Sequence, residues 1–217
     1  GAGGMFLNGN ERDPQIDTFL AAQGIPALVT WAFAAQSIHP AVGFDNKAAM
    51  REMAEAVLAE GHRDLGFISA TTIGNDRAAA RLAGIKAAMQ DAGLDPAALN
   101  VVETTYAIDD GAAAFAALMS KTKRPTAVLC GNDVLAVGAL RQAHDMGIAV
   151  PDDVSIVGFD DIELAQVAFP PLTTVHVPHS RMGQAAAQTL VAMLQSGTRP
   201  ASVALETTLV RRGTLGP

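Results

Sequence analysis

The sequence of 217 residues contains a single cysteine, Cys130, together with one tryptophan and one tyrosine. One cysteine cannot form an internal disulfide, which is compatible with a reducing compartment such as the cytosol. Charged residues make up only 17% of the chain and hydrophobic residues 49%, a balance that argues against a disordered protein. A chain of this length buries roughly 70% of the surface that its unfolded state exposes, so it needs no disulfide to fold.

The chain also lacks long apolar runs and an excess of positive charge. No run reaches the roughly 18 apolar residues that a membrane span requires, and the opening stretch GAGGMFLNGN has neither the charged nor the apolar part of a secretory signal. Position 1 is not an initiator Met, so we expect the natural N-terminus to lie upstream. The formal net charge of −7 argues against a nucleic-acid surface on this chain. We expect a cytoplasmic location and no membrane partner.

The motifs of common enzyme classes are absent as well. The chain has no G-x-S-x-G elbow, no H-E-x-x-H and no G-x-x-x-x-G-K-[ST] loop. Cys130 ends an apolar run with no histidine close in sequence, which favours a buried, inert thiol over a nucleophile. His176 and His179 are close in sequence, but no acidic or thiol ligand joins them locally. The sequence therefore predicts no enzyme, no metal site and no cofactor.

Short apolar runs alternate with segments of helical periodicity along most of the chain. The runs are Met5–Leu7, Pro26–Trp31, Leu65–Ser69, Val101–Thr104, Thr126–Cys130, Val154–Gly158, Thr173–Val177 and Val203–Val210. The spacing of apolar residues predicts helices over Asn46–Glu60 and Ser180–Gln195. A further helix is expected to start at Asn132, a good N-cap, and to end before Gly147. This alternation predicts βαβ units and an α/β fold with parallel sheets flanked by helices.

Polar or aromatic side chains follow four of the predicted strands. Asp160 follows VSIVGF, Asn132 follows TAVLCG, Tyr106 follows VVETT, and Ala70–Asp76 follow LGFIS. Ligands of open α/β sheets bind outside the carboxyl ends of the strands, so these residues are expected to share one rim. A carboxylate accepts hydrogen bonds from vicinal hydroxyls, and an amide both donates and accepts. The set predicts a polyol or nucleoside pocket; the alternative is that each residue only begins a turn or caps a helix.

Several motifs together resemble one family of bacterial transcription regulators. They are GHRDLGFI (61–68), RLAG (81–84), PTAVLCGND (125–133), VPDDVSIVGFDD (150–161), FPPLTTV (169–175) and the terminal LVRRG. In this order and spacing they resemble the lactose/galactose-repressor (LacI/GalR) family, over nearly the whole chain from about Met5. The resemblance implies an effector-binding region with the two-lobe fold of periplasmic binding proteins, its N-terminal lobe truncated. The implied lobes are residues 1–64 with 178–206 and residues 65–177 with 207–217.

The resemblance also implies how a small sugar-like effector is bound between the two lobes. Asp160, Arg81 and Asn132 match positions that hydrogen-bond the effector. Tyr106 matches an aromatic residue that stacks on it. Trp31 stands where relatives often carry an acid or an amide, a departure that leaves the sugar's identity open and implies stacking from this side as well.

Other positions are carried over with weaker roles. Asn75 and Arg77 match variable positions that tune specificity, and His179 matches a weaker contact near the crossing between lobes. Asp133 and Asp161 are expected to be structural, the first near a helix start and the second as the cap of the next helix.

The resemblance implies partners too. A homodimer is expected, with Ile162–Pro171 as part of its interface. Operator DNA would be bound only through an N-terminal helix-turn-helix, which this chain lacks. The alternative is a periplasmic sugar-binding protein that serves a transporter, since it would share the fold and the cleft. The GFDD and PPLTTV motifs favour the regulator.

Overall fold

The structure, a computed structural model, describes residues 3–34 and 37–217. Its internal contacts divide the chain into two compact units. Unit 1 comprises Gly1–Asn46, Ile73–Arg77 and Pro178–Thr207, and unit 2 comprises Lys47–Thr72, Ala78–Val177 and Thr208–Pro217. The sequence analysis expected the first boundary at residue 64, whereas these contacts group Lys47–Thr72 with unit 2. The extent of the two lobes stays a prediction.

Unit 1 is built on a parallel sheet of four strands. In order across the sheet they are β1 (Met5–Asn8), β2 (Ala27–Thr30), β3 (Ala41–Gly43) and β9 (Val203–Ala204). The helices of this unit are α1 (Pro14–Ala22) and α7 (His179–Ser196), and α7 packs on β2 and β3. Strand β3 was not predicted, because a buried run of three residues is too short to show a period.

Unit 2 contains a second parallel sheet, with the strand order β5-β4-β6-β7. These strands are β4 (Leu65–Ala70), β5 (Asn100–Thr104), β6 (Ala127–Cys130) and β7 (Ser155–Val157). The accompanying helices are α2 (Asn46–Ala59), α3 (Asp76–Asp91), α4 (Ile108–Met119), α5 (Asp133–Asp145) and α6 (Glu163–Val167). Strands β8 (Thr174–His176) and β10 (Thr208–Val210) form an antiparallel pair. The predicted parallel α/β fold is confirmed.

Helix α2 joins unit 2 because it lies directly against α3. A Cβ on Gly84 of α3 would collide with the carbonyl oxygen of Lys47 and would lie 2.9 Å from the amide nitrogen of Arg51. Only a glycine allows two helix backbones to come this close. Arg51 also reaches Asp91, at the end of α3, with an N–O distance of 2.8 Å.

Helices α4 and α5 cross in the same way. A Cβ on Gly138 of α5 would collide with the carbonyl oxygen of Ile108, and one on Gly111 of α4 would collide with that of Leu135. Around this crossing, Phe115 and other apolar side chains of both helices pack on the fully buried strand β6. None of the helices within residues 3–34 and 37–217 is both long and apolar enough to cross a membrane.

We expect Gly138→Ala to lower the free energy of unfolding, because the added methyl group forces α4 and α5 apart. The overpacking cost of roughly 1–3 kcal/mol exceeds the gain of about 1 kcal/mol in helix propensity. Gly183→Ala in α7 is the matched control, since its Cβ would meet nothing within 4 Å and the change should be neutral or stabilising. Urea denaturation of both variants tests this, and equal effects would contradict it.

Candidate functional site

The strand order of unit 2 brings the carboxyl ends of four parallel strands to one edge of the sheet. Tyr106 follows β5, Ala70 ends β4, Asn132 follows β6, and Asp160 follows β7. These strands are hydrogen-bonded neighbours in the order β5-β4-β6-β7. The four strand ends therefore lie along one edge of the sheet as expected, but of the predicted stretch Ala70–Asp76 the part from Ile73 onward belongs to unit 1. A shared binding role for these residues stays a prediction.

Arg81 and Asp160 form the charged centre of this rim. Arg81 lies in α3 and is buried, and its Nη1 donates a hydrogen bond to the carbonyl oxygen of Gly131. Its Nη2 lies 3.8 Å from Oδ1 of Asp160, and its guanidinium carbon lies 3.9 Å from the centroid of the Phe159 ring. A buried guanidinium that is held by a carbonyl, a ring and a carboxylate has a fixed orientation. Arg81 therefore lies beside Asp160 in a fixed orientation, and its expected hydrogen bond to the effector stays a prediction.

The backbone at Asp160 has a conformation that side chains rarely adopt. Its φ is 109°, and φ of the next residue, Asp161, is 56°. Such conformations cost on the order of 1–3 kcal/mol each, and they persist where neighbouring contacts enforce them. Here the amide of Asp160 donates to the carbonyl oxygen of Val175 at 2.9 Å, while its own carbonyl accepts from Val177 at 3.4 Å. The side chain of Asp160 remains 19% exposed at the rim.

Asn132 and Tyr106 follow two other strands of the same sheet. The side chain of Asn132 is fixed by a hydrogen bond, whereas that of Tyr106 is exposed. The side-chain oxygen of Asn132 caps α5 by accepting a hydrogen bond from the amide of Leu135 at 2.9 Å. The capping role and the binding role proposed from the sequence are compatible, because the NH₂ group of Asn132 takes no part in the cap. Tyr106 lies beyond β5 with 45% of its surface exposed, so its ring is accessible for stacking.

Asp133 lies fully buried behind the rim. Its Oδ1 accepts a hydrogen bond from the hydroxyl of Thr174 at 2.6 Å, and its Oδ2 accepts one from the amide of Ile162 at 2.9 Å. The pKa of Asp133 is raised from 3.8 to about 7, and burial is the largest cause. The two hydrogen bonds partly oppose this rise, and the negative charges of Asp160 and Asp161 contribute to it. The structural role expected for Asp133 thus comes with a carboxyl group that is partly protonated near neutral pH.

Asp161 does not cap α6 as the sequence analysis expected. The N-cap of α6 is Ile162, and it makes no side-chain capping bond. Oδ1 of Asp161 instead accepts from Nη2 of Arg212 at 2.6 Å, and Nδ1 of His176 lies 2.9 Å from Oδ2. Burial raises the pKa of Asp161, but these two hydrogen bonds outweigh burial and hold the pKa below its ordinary value. The capping prediction was wrong because the carboxylate is hydrogen-bonded to an arginine that is distant in sequence. Local sequence patterns do not indicate such a partner.

A second group of predicted residues lies in unit 1. The rings of Trp31 and His179 are 5.3 Å apart between centroids and are inclined at 52°. Trp31 has a φ of 68°, and its carbonyl oxygen accepts a hydrogen bond from the side chain of Asn46 at 2.8 Å. The two rings line a groove of about 340 Å³ together with Phe6, Thr30, Met182 and Ala186. Phe6 was not predicted, because it lies within a strand run and looks like an ordinary core residue.

Asn75 and Arg77 also belong to unit 1, in the segment Ile73–Arg77. Nη1 of Arg77 lies 3.6 Å from Oδ1 of Asp76, whose Oδ2 accepts a hydrogen bond from the amide of Asn10 at 2.6 Å. Gly9, with a φ of 79°, permits this approach, because a Cβ there would collide with both Asp76 and Arg77. The two residues predicted to tune specificity, Asn75 and Arg77, therefore lie on either side of Asp76, which is hydrogen-bonded to the turn after β1.

Metal-binding chemistry finds no support in the described ranges 3–34 and 37–217. No group of three or more His, Cys, Asp or Glu side chains there is arranged to hold a metal ion. Cys130 is fully buried, and burial raises the pKa of its thiol far above the ordinary value. A buried neutral thiol is a poor nucleophile.

Comparison with known proteins identifies similar chains. A family model described as a periplasmic binding protein-like domain matches residues 54–215. The chain is similar to the HTH-type transcriptional repressor PurR of Escherichia fergusonii, with 35% identity over 191 residues, which cover 87% of this chain and 55% of the repressor. This chain spans about half the length of the curated relatives that it matches.

Solved structures give the same picture. A LacI family transcriptional regulator from Silicibacter pomeroyi is 30% identical with a TM-score of 0.86, covering 98% of this chain and 78% of that one. A complex of the transcriptional regulator CelR with cellobiose is 29% identical with a TM-score of 0.83, covering 98% of this chain and 65% of that one. The resemblance drawn from sequence motifs, and the fold that it implied, are confirmed.

The buried carboxyl of Asp133 predicts a pH-dependent stability. Since its folded pKa of about 7 lies above the ordinary 3.8, the folded protein binds a proton that the unfolded chain has released. Its contribution to stability is therefore greatest below about pH 4, falls as the pH rises, and levels off above about pH 7. Asp133→Asn has no such proton, so its unfolding free energy relative to the parent should rise with pH, by at most about 1.4 kcal/mol per pH unit.

Urea denaturation of the parent and of Asp133→Asn between pH 5 and pH 8 measures this difference. Asp145→Asn, at the exposed end of the same helix, is the matched control, because it makes the same substitution at an exposed position. If the difference in unfolding free energy between Asp133→Asn and the parent did not change with pH, the raised pKa would be refuted.

Proposed function

Because the chain belongs to the periplasmic-binding-protein-like family, and is similar to LacI-type regulators, we propose that it is the effector-binding region of such a transcription regulator. Its ligand is a small sugar or related polyol, and its site includes the rim of unit 2 around Asp160. The regulator works in the cytoplasm and is not an enzyme. The named relatives are transcription regulators, which supports this assignment.

The observation that carries the proposal is the fixed carboxylate at Asp160. It stands at the end of a buried strand, in a strained backbone conformation, beside a guanidinium that Gly131 and Phe159 hold in place. Strain of this kind is retained where function requires it. A carboxylate oriented from behind can accept hydrogen bonds from two neighbouring hydroxyls of a sugar, which explains why an apolar strand ends on an acid.

Four further predicted residues have supporting roles in the same proposal: Asn132, Tyr106, Trp31 and His179. Asn132 donates from its NH₂ group, while its oxygen accepts the capping bond from Leu135. Tyr106 stacks on the apolar face of the ligand, and the Trp31–His179 pair offers a second aromatic surface in unit 1. The cellobiose complex of the similar regulator CelR supports a carbohydrate as the ligand class.

Binding would regulate transcription through a change in population of two protein states. An effector shifts such an equilibrium only by its differential affinity for them. In a homodimer whose further domain carries a helix-turn-helix, that shift alters the spacing of the DNA-binding heads and hence operator affinity. The relatives' printed description as HTH-type regulators supports DNA as the partner of such a further domain.

A periplasmic sugar-binding protein is the second candidate, since the family description fits both classes. The regulator is favoured because the named relatives that share the sequence are transcription regulators. The coding sequence upstream of the first residue separates the two candidates: a helix-turn-helix supports the regulator, and a secretory signal supports the transport protein.

We expect Asp160→Asn to lose most of the ligand response in a thermal-melt screen against pentoses, hexoses, disaccharides and polyols. A ligand at 100 times its Kd adds about 2.7 kcal/mol, which raises the Tm of a chain of this size by roughly 5–10 °C. Asp152→Asn, in the exposed turn before β7, is the matched control and should respond like the parent. A ligand that stabilises Asp160→Asn as strongly as the parent would disprove the role of Asp160.

An exposed apolar segment of unit 2 supports the proposed homodimer. Three large apolar side chains of this segment are accessible to solvent: Leu164 (36%), Val167 (76%) and Phe169 (94%). They lie on α6 and just beyond it, within the stretch Ile162–Pro171 that the resemblance pointed to. Clustered exposed apolar groups of this size are typical of interaction surfaces.

We expect Val167→Glu to weaken dimerisation, because a charge buried in an apolar interface loses its hydration without gaining a partner. Analytical ultracentrifugation over a concentration series measures the dissociation constant, and a rise of at least tenfold is expected, which corresponds to about 1.4 kcal/mol. Met146→Glu, a comparable substitution of an exposed apolar residue at the end of α5, is the control. Equal dissociation constants for the two variants would place the interface elsewhere.

A further inference from the structure

Asp133 joins, through its backbone amide and its carboxyl group, the three segments that determine where Asp160 lies. Its own amide donates to the carbonyl oxygen of Phe159 at 2.8 Å, and its Oδ2 accepts from the amide of Ile162 at 2.9 Å. These bonds grip the loop on both sides of Asp160. Its Oδ1 accepts from the hydroxyl of Thr174 in β8, the strand whose next residue, Val175, accepts the amide of Asp160.

The loop is fitted closely to this carboxyl group. A Cβ on Gly158 would collide with Oδ1 of Asp133 and would lie 2.8 Å from the side chain of Leu172. Asp133 is fully buried, so its carboxyl cannot turn to solvent when its charge changes. A change in the charge of Asp133 therefore acts directly on the loop that carries Asp160.

We propose that Asp133 is the positioning residue of Asp160, and that a proton on Asp133 is linked to the binding of effector at Asp160. The inference rests on the proposed function, because it takes Asp160 to be a ligand contact. It adds a pH-dependent affinity, which the motifs and the relatives do not imply.

Both protonation states of Asp133 satisfy its neighbours. When ionised, the carboxylate accepts from the hydroxyl of Thr174 and from the amide of Ile162. When neutral, Oδ1 carries the proton and donates it to the Thr174 oxygen, since a hydroxyl can reverse its role, while Oδ2 still accepts from Ile162. In both states each oxygen of the Asp133 carboxyl group keeps one hydrogen-bond partner. This makes Asp133 able to titrate without unfolding the site.

The charged groups around Asp133 come from every element beside it. The loop contributes the carboxylates Asp160 and Asp161, and both charges raise the pKa of Asp133. Arg212, from the C-terminal segment, and His176, from β8, are both hydrogen-bonded to Asp161. Arg81, from α3, is directed at Asp160. On β6, Cys130 is a neutral thiol, because burial raises its pKa.

The direction of the linkage follows from these groups. Ligand hydroxyls that donate to Asp160 partly neutralise the negative charge of Asp160. The repulsion between Asp160 and ionised Asp133 is then weaker, so the pKa of Asp133 falls. Ligand that covers the rim would raise this pKa by desolvation, but Asp133 is already fully buried, so this opposing effect is small. Binding of an uncharged sugar therefore releases a proton, and its affinity rises with pH through neutrality.

The first experiment needs no ligand. Protein labelled with ¹³C in the aspartate carboxyl groups is titrated by NMR between pH 4 and pH 9, and Asp133→Asn identifies the resonance of Asp133. We expect Asp160→Asn to lower the midpoint of Asp133, because a negative neighbour is removed. Thr174→Val should raise it, because a hydrogen bond to the ionised form is lost. These opposite shifts test whether Asp133 is coupled to both neighbours, and the pH dependence of ligand affinity is the readout that a merely structural role would not move.

The second experiment measures the linkage itself. Isothermal titration of D-ribose, D-glucose and cellobiose into the parent is run at pH 6 and pH 8, in buffers of different ionisation enthalpy. For a sugar that binds, we expect affinity roughly threefold higher at pH 8 and release of a fraction of a proton, below the limit of tenfold per pH unit for one proton. Asp133→Asn should bind with equal affinity at both pH values, whereas Asp145→Asn should behave like the parent.

Each outcome decides between distinct possibilities. Midpoints of Asp133 that do not respond to Asp160→Asn, or an affinity whose pH dependence persists in Asp133→Asn, overturn the inference while leaving the proposed function intact. If none of the three sugars binds at either pH, the proposed function fails for this sugar class, and the linkage to effector fails with it. The NMR titration still decides, in that case, whether Asp133 is coupled to Asp160.

Discussion

Two consecutive residues in left-handed backbone conformations, Asp160 and Asp161, are the constraint on which the rim of unit 2 depends. Their strain must be offset by contacts, and each neighbouring element supplies one. Strand β8 bonds the backbone of Asp160, Arg212 bonds the side chain of Asp161, and Asp133 holds the loop from behind. This explains why β6, β7, β8 and the C-terminal segment are tied together at this place.

Much of the fold could be predicted because its signals are local. Buried parallel strands are short apolar runs, helices carry a 3.6-residue period, and Asn132 is a typical N-cap, which the structure confirms. The rim could be predicted too, since parallel strands carry their carboxyl ends to the same edge. Strand β3 and the position of α2 against α3 could not, because a three-residue run has no period and the Gly84 contact links residues far apart in sequence.

The candidate site shows the same limit. Sequence reasoning identified Asp160 and Arg81, but it could not tell that Arg81 is buried and faces the Gly131 carbonyl and the Phe159 ring. It assigned Asp161 to a helix cap, whereas Arg212, 51 residues away, takes that carboxylate. Whether a charged residue supports a site or contacts a ligand depends on partners that are distant in sequence. A local sequence pattern does not show those partners. The part played by each of these residues in binding stays a prediction.

The three acids after β6 and β7 illustrate how environment separates residues of the same type. Asp161 pairs with Arg212 and His176, so its pKa falls despite burial, and it stays charged as a fixed link. Asp133 has only a hydroxyl and an amide to offset burial, so its pKa rises to about 7. Asp160, partly exposed beside Arg81, is the one that an external hydroxyl can reach. Such a division suits the proposed site, in which the acid expected to meet the ligand lies beside acids that are fixed within the protein.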